Sequence, residues 1–593
     1  MCGICGEVRF DGTAVSHATV ATMTEAMATR GPDGAGMWRD GWASLGHRRL
    51  SIIDLSDAAA QPMVDDELGI AVAFNGCIYN YRQLQEDLRN GGYRFRTQSD
   101  TEVVLAAYHR WGERFVDHLV GMFAIAIVDR RQRRLLLARD RLGIKPLYLA
   151  SVRGGLRFAS TLPALLSAGD VDTTIDPVAL HHYLSWHSIV PAPRTLLRGV
   201  RKLPPATLRV IEADGRSREQ RYWQPTYTRD PGVAGMDADE WQREIADALR
   251  TAVRRHIVAD VPVGVLLSGG LDSSLIVAML AEAGHDVRTF SIGFQNSRTQ
   301  PGDEFGWSDQ VAARYGTNHE RISIHDESLV PAVQQSVAAM TEPMGTHDVV
   351  AFFLLSERVS RRVKVALAGQ GADEIFAGYR FHQPFAAAGR ADALDVFVQA
   401  FSDRDHDAVS RIVEPDVRCV SNVSRELVAA HLESPGADTA LDAALRLDTH
   451  LLMPEDPVKR IDSMSMAWGL ELRVPFLDQD LVALAAACPP ELKSARGGKG
   501  ALKQVARQFF PDSFVDRPKG YFPVPALHDL SGPVLDLVRD TLYSPAAKNR
   551  ALLRREYIDE LLAEPNRHRT PVGSNGLWQI AVLELWLQTR GIG

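Results

Sequence analysis

The chain has 593 residues, 45% of them hydrophobic and 24% charged, and carries a formal net charge of −8. That length exceeds what one hydrophobic core organises, so two or more domains are expected. The mild acidity gives no reason to expect nucleic acid or an anionic membrane as partner, and the longest apolar stretch, residues 119–128, is far short of the ~18 residues of a membrane span.

The informative residues start at once. Cys2, in Met1-Cys2-Gly3-Ile4-Cys5-Gly6, carries a thiol and, once Met1 is removed, a free α-amine. Such an amine titrates near ~7.7–8.0 and can act as the base for its own thiol. A thiol packed in a first strand is the ordinary alternative. Cys2-x-x-Cys5 could also be half of a metal site, but no second Cys/His pair follows at ligand spacing. The five cysteines, at 2, 5, 77, 419 and 488, are odd in number and scattered, which argues against a disulfide framework. With no basic n-region and apolar h-region at the start, the expected compartment is the cytoplasm.

Further along, residues 45–54, 70–74, 122–129 and 134–139 read as strands and 81–90 and 101–111 as helices, an α+β pattern. A polar, turn-rich segment from about 211 to 236, containing Asp230-Pro231-Gly232, reads as a linker. Beyond it strands alternate with long helices, as in a parallel α/β sheet. A strand is predicted over 261–267, a helix over 273–283, and strands over 287–292 and 363–368. The last third is mostly helical.

The strand ending at Leu267 runs directly into Ser268-Gly269-Gly270-Leu271-Asp272-Ser273-Ser274. Two glycines let the backbone turn tightly against a ligand, and the N–H groups at the start of a helix point at an anion. Ser268, Ser273 and Ser274 add hydroxyl donors, and Asp272 can hold a divalent cation against phosphates. A Ser/Asp-capped helix after a glycine turn is the bland alternative, but the whole string in strand-loop-helix context favours phosphate binding. A second loop, Gly369-Gln370-Gly371-Ala372-Asp373-Glu374, follows the 363–368 strand and sets adjacent carboxylates where parallel sheets bind ligands.

Cys2 together with the S-G-G-L-D-S-S loop makes the chain resemble the glutamine-dependent asparagine synthetases, which join an N-terminal-nucleophile glutaminase to an ATP-pyrophosphatase synthetase. The resemblance extends to Arg30-Gly31-Pro32-Asp33, the 47–54 segment, Asn75-Gly76-Cys77-Ile78-Tyr79-Asn80, Ser99-Asp100-Thr101-Glu102, the 139–148 segment and the 469–478 segment. It implies an α+β N-terminal-nucleophile hydrolase domain of αββα layers over residues 2–215. An α/β parallel-sheet ATP-pyrophosphatase domain with a largely helical C-terminal part would then cover 237–593. It also implies that Cys2 attacks the glutamine side-chain amide, that Asn75 and the Gly76 N–H form the oxyanion hole, and that Arg49 and Asp100, with Asn75, bind glutamine. ATP and pyrophosphate would be bound by Leu267, Ser268, Gly269, Gly270, Asp272, Ser273, Ser274, Ile292, Gly369 and Gln370. Asp272 and Asp373 would bind Mg2+, Lys499 would stabilise the adenylation transition state, and Tyr379 and Glu471 would line the acceptor side. The implied partners are small molecules (glutamine, ATP and a carboxylate acceptor), and a homodimer is the expected assembly.

Three positions depart from the usual pattern: Cys77 and Gln370 stand where acids are usual, and Ser463 where a basic residue is commoner. With Arg517-Pro518-Lys519-Gly520-Tyr521-Phe522 and the C-terminal tail they resemble the N-acetylglutaminylglutamine amidotransferase subgroup, which amidates a dipeptide made for osmoprotection. Asparagine synthesis from aspartate is the alternative acceptor chemistry. An ammonia-independent ligase with an inactive glutaminase domain, and a non-catalytic regulator, are the alternatives of other classes.

Overall fold

A computed structural model describes residues 2–593 apart from 230–231, 233–234, 295–302, 326–327, 519 and 521–523. The N-terminal part contains twelve strands among the described residues: β1 (Gly3–Arg9), β2 (Gly34–Asp40), β3 (Ala43–Arg49), β4 (Met63–Asp65), β5 (Ile70–Ile78), β6 (Gly121–Asp129), β7 (Arg134–Arg139), β8 (Tyr148–Val152), β9 (Gly155–Ala159), β10 (Val200–Lys202), β11 (Thr207–Glu212) and β12 (Ser217–Arg221). They form two six-stranded sheets, ordered β10-β8-β9-β1-β3-β2 and β12-β11-β7-β6-β5-β4, in which the paired strands are antiparallel.

Period-two alternation stacks these sheets. Ala71 and Ala73 of β5 and Ala124, Ala126 and Val128 of β6 pack with Ile4 and Val8 of β1 in one core. Ile70, Val72, Phe74, Ile125 and Ile127 fall in another cluster, with Val103, Val104 and Leu105 of the helix Asp100–Trp111. Small alanines on the inner face let the sheets approach; branched and aromatic residues on the outer face meet the helices. This is the αββα arrangement. Asn75 continues the inner-face parity of Ala71 and Ala73, and Cys2 that of Ile4, so the pleat aims the two at each other.

The expected linker gives way in its first half to structure: β11 and β12 form a hairpin that completes the second sheet, running past the expected boundary at 215 to Arg221. Its strands pair because β11 continues the ladder from β7. The helix Ala238–His256 then begins on a capping box made by Asp237 and Glu240. Residues 230–231 and 233–234 of the linker lie outside the described residues. The expected strand over 45–54 ends early, at Arg49, because Asp54 takes a positive φ of 51° and Arg49 reaches forward to carbonyls of the following loop.

The C-terminal part holds a five-stranded parallel sheet of β13 (Val263–Leu266), β14 (Arg288–Phe294), β15 (Asn318–Ile324), β16 (Val365–Leu367) and β17 (Glu471–Arg473), in the order β15-β14-β13-β16-β17. The order reverses at β13, which makes the crevice between β13 and β16 the topological switch point of an open α/β sheet, where such sheets bind ligands. Helices dominate the chain from residue 372 to its end, and no described helix is long and apolar enough to cross a membrane.

The two parts meet across buried charge. Asp462, on the helix Pro457–Met466, pairs with Arg30 at 2.9 Å and Lys145 at 3.4 Å. Lys202 pairs with Glu342 at 3.0 Å and Glu455 at 2.5 Å. Ser463, expected to bear on the acceptor, lies at this junction instead, 3.3 Å from the hydroxyl of Thr341. Thr341 in turn contacts Tyr148 of the first sheet. One helical position separates Ser463 from the Asp462 carboxylate, so a small neutral hydroxyl there adds no further charge to a closed interface.

Candidate active sites

Cys2 is buried beside Arg49, Gly76, Cys77 and Asp100 in a cavity of about 30 Å³ walled by Leu50, Ile52, Ile53 and Phe74. Its main-chain nitrogen donates to Asn75 Oδ1 at 2.9 Å. That contact fixes the amide's orientation, because only the oxygen of Asn75 can accept it. The other end, Asn75 Nδ2, is buried with no hydrogen-bond partner among the described residues. A buried unmatched donor costs about 1–3 kcal/mol, and it is repaid when an oxyanion forms within reach. Gly76 must be glycine: a Cβ there would lie 2.1 Å from the Met122 carbonyl of β6.

Burial pushes the Cys2 thiol above its ordinary pKa, so a base has to take its proton. His47, under the same strand, is not that base: burial lowers it to about 3, and its Nε2 faces the Phe74 carbonyl at 3.2 Å. Asp100 opens its helix with its carboxylate accepting the Ile78 N–H at 3.1 Å. Burial raises it to about 7, with the Glu471 carboxylate adding to the rise. The Arg49 guanidinium is held by the carbonyls of Ser56 at 2.9 Å and Asp54 at 2.5 Å, and so stays at the cavity wall.

Two residues of this cavity were not legible as such. Glu471, expected on the acceptor side, lines the Cys2 cavity with Arg473, which donates to it at 2.5 Å. The reason is topological. β17 is the edge strand of the parallel sheet and abuts the N-terminal part, and its side chains reach across. Arg30 donates to the Cys2 carbonyl at 3.2 Å and simultaneously holds Asp462.

The second site is a cleft of about 310 Å³ at the switch point. Leu267, Ser268, Gly270, Asp272, Ser273, Ile292, Gly369, Gln370, Asp373, Tyr379 and Lys499 all line it. Ser268 and Ser273 hydroxyls lie 3.1 Å apart, and Ser268 Oγ accepts the Gly270 N–H at 3.2 Å. Gly269 takes φ +77°, and its carbonyl accepts from Arg517 at 2.7 Å. Ser274 does not line the cleft; it packs inside the helix Leu271–Glu282, where its hydroxyl is buried without a partner among the described residues.

Lys499 organises the floor. Its ammonium lies 2.7 Å from Asp272 and 2.9 Å from Asp373. Burial opposes its charge, but the two carboxylates win and hold its pKa up. Reaching this point needs a left-handed backbone, φ 55° at Lys499 and 105° at Gly498. It also needs Gly378, whose Cβ would stand 2.3 Å from Lys499 Cε. Two carboxylates converging on one cationic point fit the donor set of a magnesium ion, which takes one or two protein carboxylates plus substrate phosphates. Glu374, beside them, is raised to about 7 by burial and by Asp448 and Asp373, and accepts from Tyr379 at 2.8 Å. Arg460, unforeseen, reaches the cleft from the helix that carries Asp462 at the interface; it donates to Thr346 at 3.0 Å.

The two-sheet αββα body carries the Cys2 cavity, and the parallel sheet carries the switch-point cleft. Residues 1–223 match the Glutamine amidotransferase domain and residues 244–588 match Asparagine synthase. The chain is 30% identical over 623 residues to "Asparagine synthetase [glutamine-hydrolyzing] 1" of Bacillus subtilis, covering 99% of this chain and 96% of that one. It is 31% identical over 643 residues to a "Putative asparagine synthetase [glutamine-hydrolyzing]" of Mycobacterium tuberculosis, covering 99% and 97%. To "Asparagine synthetase B [glutamine-hydrolyzing]" of Escherichia coli it is 28% identical over 606 residues, covering 95% and 92%. The chain belongs to the asparagine synthase family. It is an ATP-dependent carbon–nitrogen ligase that uses glutamine as its amide-nitrogen donor.

Proposed function

We propose that the acceptor is an N-acylated glutamine dipeptide, N-acetylglutaminylglutamine being the form that fits, and that its carboxylate is adenylated in the switch-point cleft and then amidated. The observation that carries this reading is Gln370. It stands in the cleft where the family usually has an acid, and its Oε1 is buried with no hydrogen-bond partner among the described residues. A neutral carbonyl lacking a donor suits the N–H of a peptide or acylated amine. A free α-ammonium, as on aspartate, calls for a carboxylate there.

In this account the Cys2 α-amine, exposed when Met1 is removed, takes the thiol proton, and the sulfur attacks the glutamine amide carbon. Asn75 Nδ2 and the Gly76 N–H receive the oxyanion, while Arg49 and Asp100 hold the substrate carboxylate and ammonium. In the cleft the Ser268–Ser273 loop cradles phosphates and Lys499 neutralises the charge that develops during adenylation. Asp272 and Asp373 would hold magnesium, which supplies charge neutralisation for the departing pyrophosphate. Ammonia is nucleophilic only unprotonated, and the Cys2 cavity already abuts β17 of the synthetase sheet through Glu471 and Arg473, so the nitrogen passes internally.

The test is to incubate the purified enzyme with ATP, glutamine and either N-acetylglutaminylglutamine or aspartate, and to weigh the products. Dipeptide amide with AMP and pyrophosphate is expected. Asparagine formed at the higher kcat/KM would sink the proposal.

A further inference from the structure

Away from both active sites, an open groove runs between the N-terminal part and the helical C-terminal part, and it is lined by four arginines, Arg194, Arg198, Arg201 and Arg418. One carboxylate, Asp176, stands among them, paired with Arg194 at 2.5 Å and with Arg201 at 3.6 Å. Arg194 and Arg201 face each other across a backbone bridge, which fixes their side chains over the same carboxylate. Asp176 is also committed to capping the helix Pro177–Ser185. Among the described residues, Arg198 and Arg418 have no ion pair, and both are exposed. The lining therefore carries four positive charges against one negative, with the Asp172 carboxylate also within electrostatic reach of Arg198, on a chain whose net charge is −8.

The surroundings reinforce this sign. The helices Pro177–Ser185 and Val423–Glu433 both begin at the groove, so two positive dipole ends add to the guanidiniums. Val420, fully exposed, forms an apolar rim at its edge. Planar guanidinium forks recognise phosphate oxygens two at a time, which a carboxylate-poor groove leaves available.

We propose that this groove is a binding site for a polyphosphate anion, inorganic pyrophosphate or the phosphate chain of a nucleotide, bridging the two parts of the enzyme from outside the catalytic cleft. Binding joins Arg194, Arg198 and Arg201, from the N-terminal part, to Arg418, from the C-terminal part, through one ligand.

Cys419 reports on the groove locally. It lines the groove and is half-buried, whereas the other four cysteines are buried. The full-length enzyme is alkylated with iodoacetamide, and modification of Cys419 is followed by peptide mass mapping with added pyrophosphate, ATP or polyglutamate. Pyrophosphate and ATP at millimolar concentration are expected to slow alkylation of Cys419 several-fold. The Arg198→Ala/Arg418→Ala variant should lose that protection while its ligand-free labelling rate stays unchanged. Protection by both ligands assigns the phosphate chain alone; stronger protection by ATP adds contact with the nucleoside. Absence of protection overturns the proposal, as does protection that survives the double substitution, because it then comes from the catalytic cleft. Protection by polyglutamate and not by pyrophosphate overturns it in favour of an acidic polypeptide.

Discussion

The Cys2 cavity and the switch-point cleft both hold charged side chains but differ in size and in how those charges are paired. The first is small, about 30 Å³, and walled by Leu50, Ile52, Ile53 and Phe74. The second is about ten times larger, 310 Å³, and floored by Asp272, Asp373 and Lys499. In the proposed thioester chemistry Asn75 Nδ2, buried without a hydrogen-bond partner among the described residues, receives the oxyanion beside a cavity that Arg49, Asp100, Glu471 and Arg473 also line. In the proposed adenylation the cleft would hold a highly charged nucleotide, and its Asp272–Lys499–Asp373 ion triad is charge that phosphates and a cation could take over. The comparison teaches that the two halves are separable in chemistry but locked in position, through Arg30, Lys145 and Asp462.

Separability predicts the largest effects. Cys2→Ala should abolish glutamine use and leave amidation with added ammonium salts, whereas Asp272→Asn should abolish pyrophosphate release and leave basal glutaminase. Glutamate and pyrophosphate assays on both variants check this, and equal loss of both activities in either variant would break the division of labour.

A step down, Asn75→Ala should cost about 10²–10³ in kcat for glutamine hydrolysis. Ammonia-dependent synthesis should be untouched; steady-state kinetics with each nitrogen source separates the two. Asp462→Ala tests the positional lock. It strands Arg30 and Lys145 in a dry interface, and removing one partner of a buried pair costs about 3–5 kcal/mol. Denaturant unfolding should show that loss, and glutaminase activity should fall as well, since Arg30 also holds the Cys2 carbonyl. A variant of unchanged stability would mean the interface is held elsewhere.

The smallest effect is in pH dependence. Asp100 keeps its proton to about pH 7 in the folded protein, but only to about 4 in an unfolded chain. The native state therefore binds the extra proton between those values. Its stabilising contribution is complete below about pH 4 and is lost as pH rises to about 7. Asp100→Asn should flatten that limb, making the fall in Tm between pH 5 and 7 smaller by about 2–4 °C. An identical profile in the variant would show that Asp100 does not titrate there.

Much of this was readable in the sequence where function is local. The strand-loop-helix string at 267–274 and the glycine loop at 369–374 are contiguous, so their place at the ends of parallel strands could be read from the sequence, and most of their residues line one cleft. Cys2 and Asn75 are 73 positions apart, yet the alternation of β1 and β5 on a common inner face brings them to 2.9 Å. What could not be read depends on how the two parts dock. Glu471 sits in a motif that reads as synthetase, but β17 is an edge strand and delivers it to the glutaminase cavity. Ser463 likewise falls at the interface, and Ser274 turns into its helix, because neighbours in sequence on a helix point in different directions. Arg460 and Asp462 gave no signal at all: two charges in a helix ordinarily mean a solvated face.

Nitrogen transfer between unlike sites is the central claim, and isotope competition tests it most directly. The enzyme is supplied with ATP, the acceptor and glutamine labelled with 15N in its side-chain amide, in a large excess of unlabelled ammonium at a pH where free ammonia reacts slowly. The product amide is then weighed. Internal transfer from Cys2 to the cleft predicts product carrying the 15N label almost undiluted. Product diluted to the isotopic composition of the bulk ammonium would show that the nitrogen escapes to solvent, and would contradict the account.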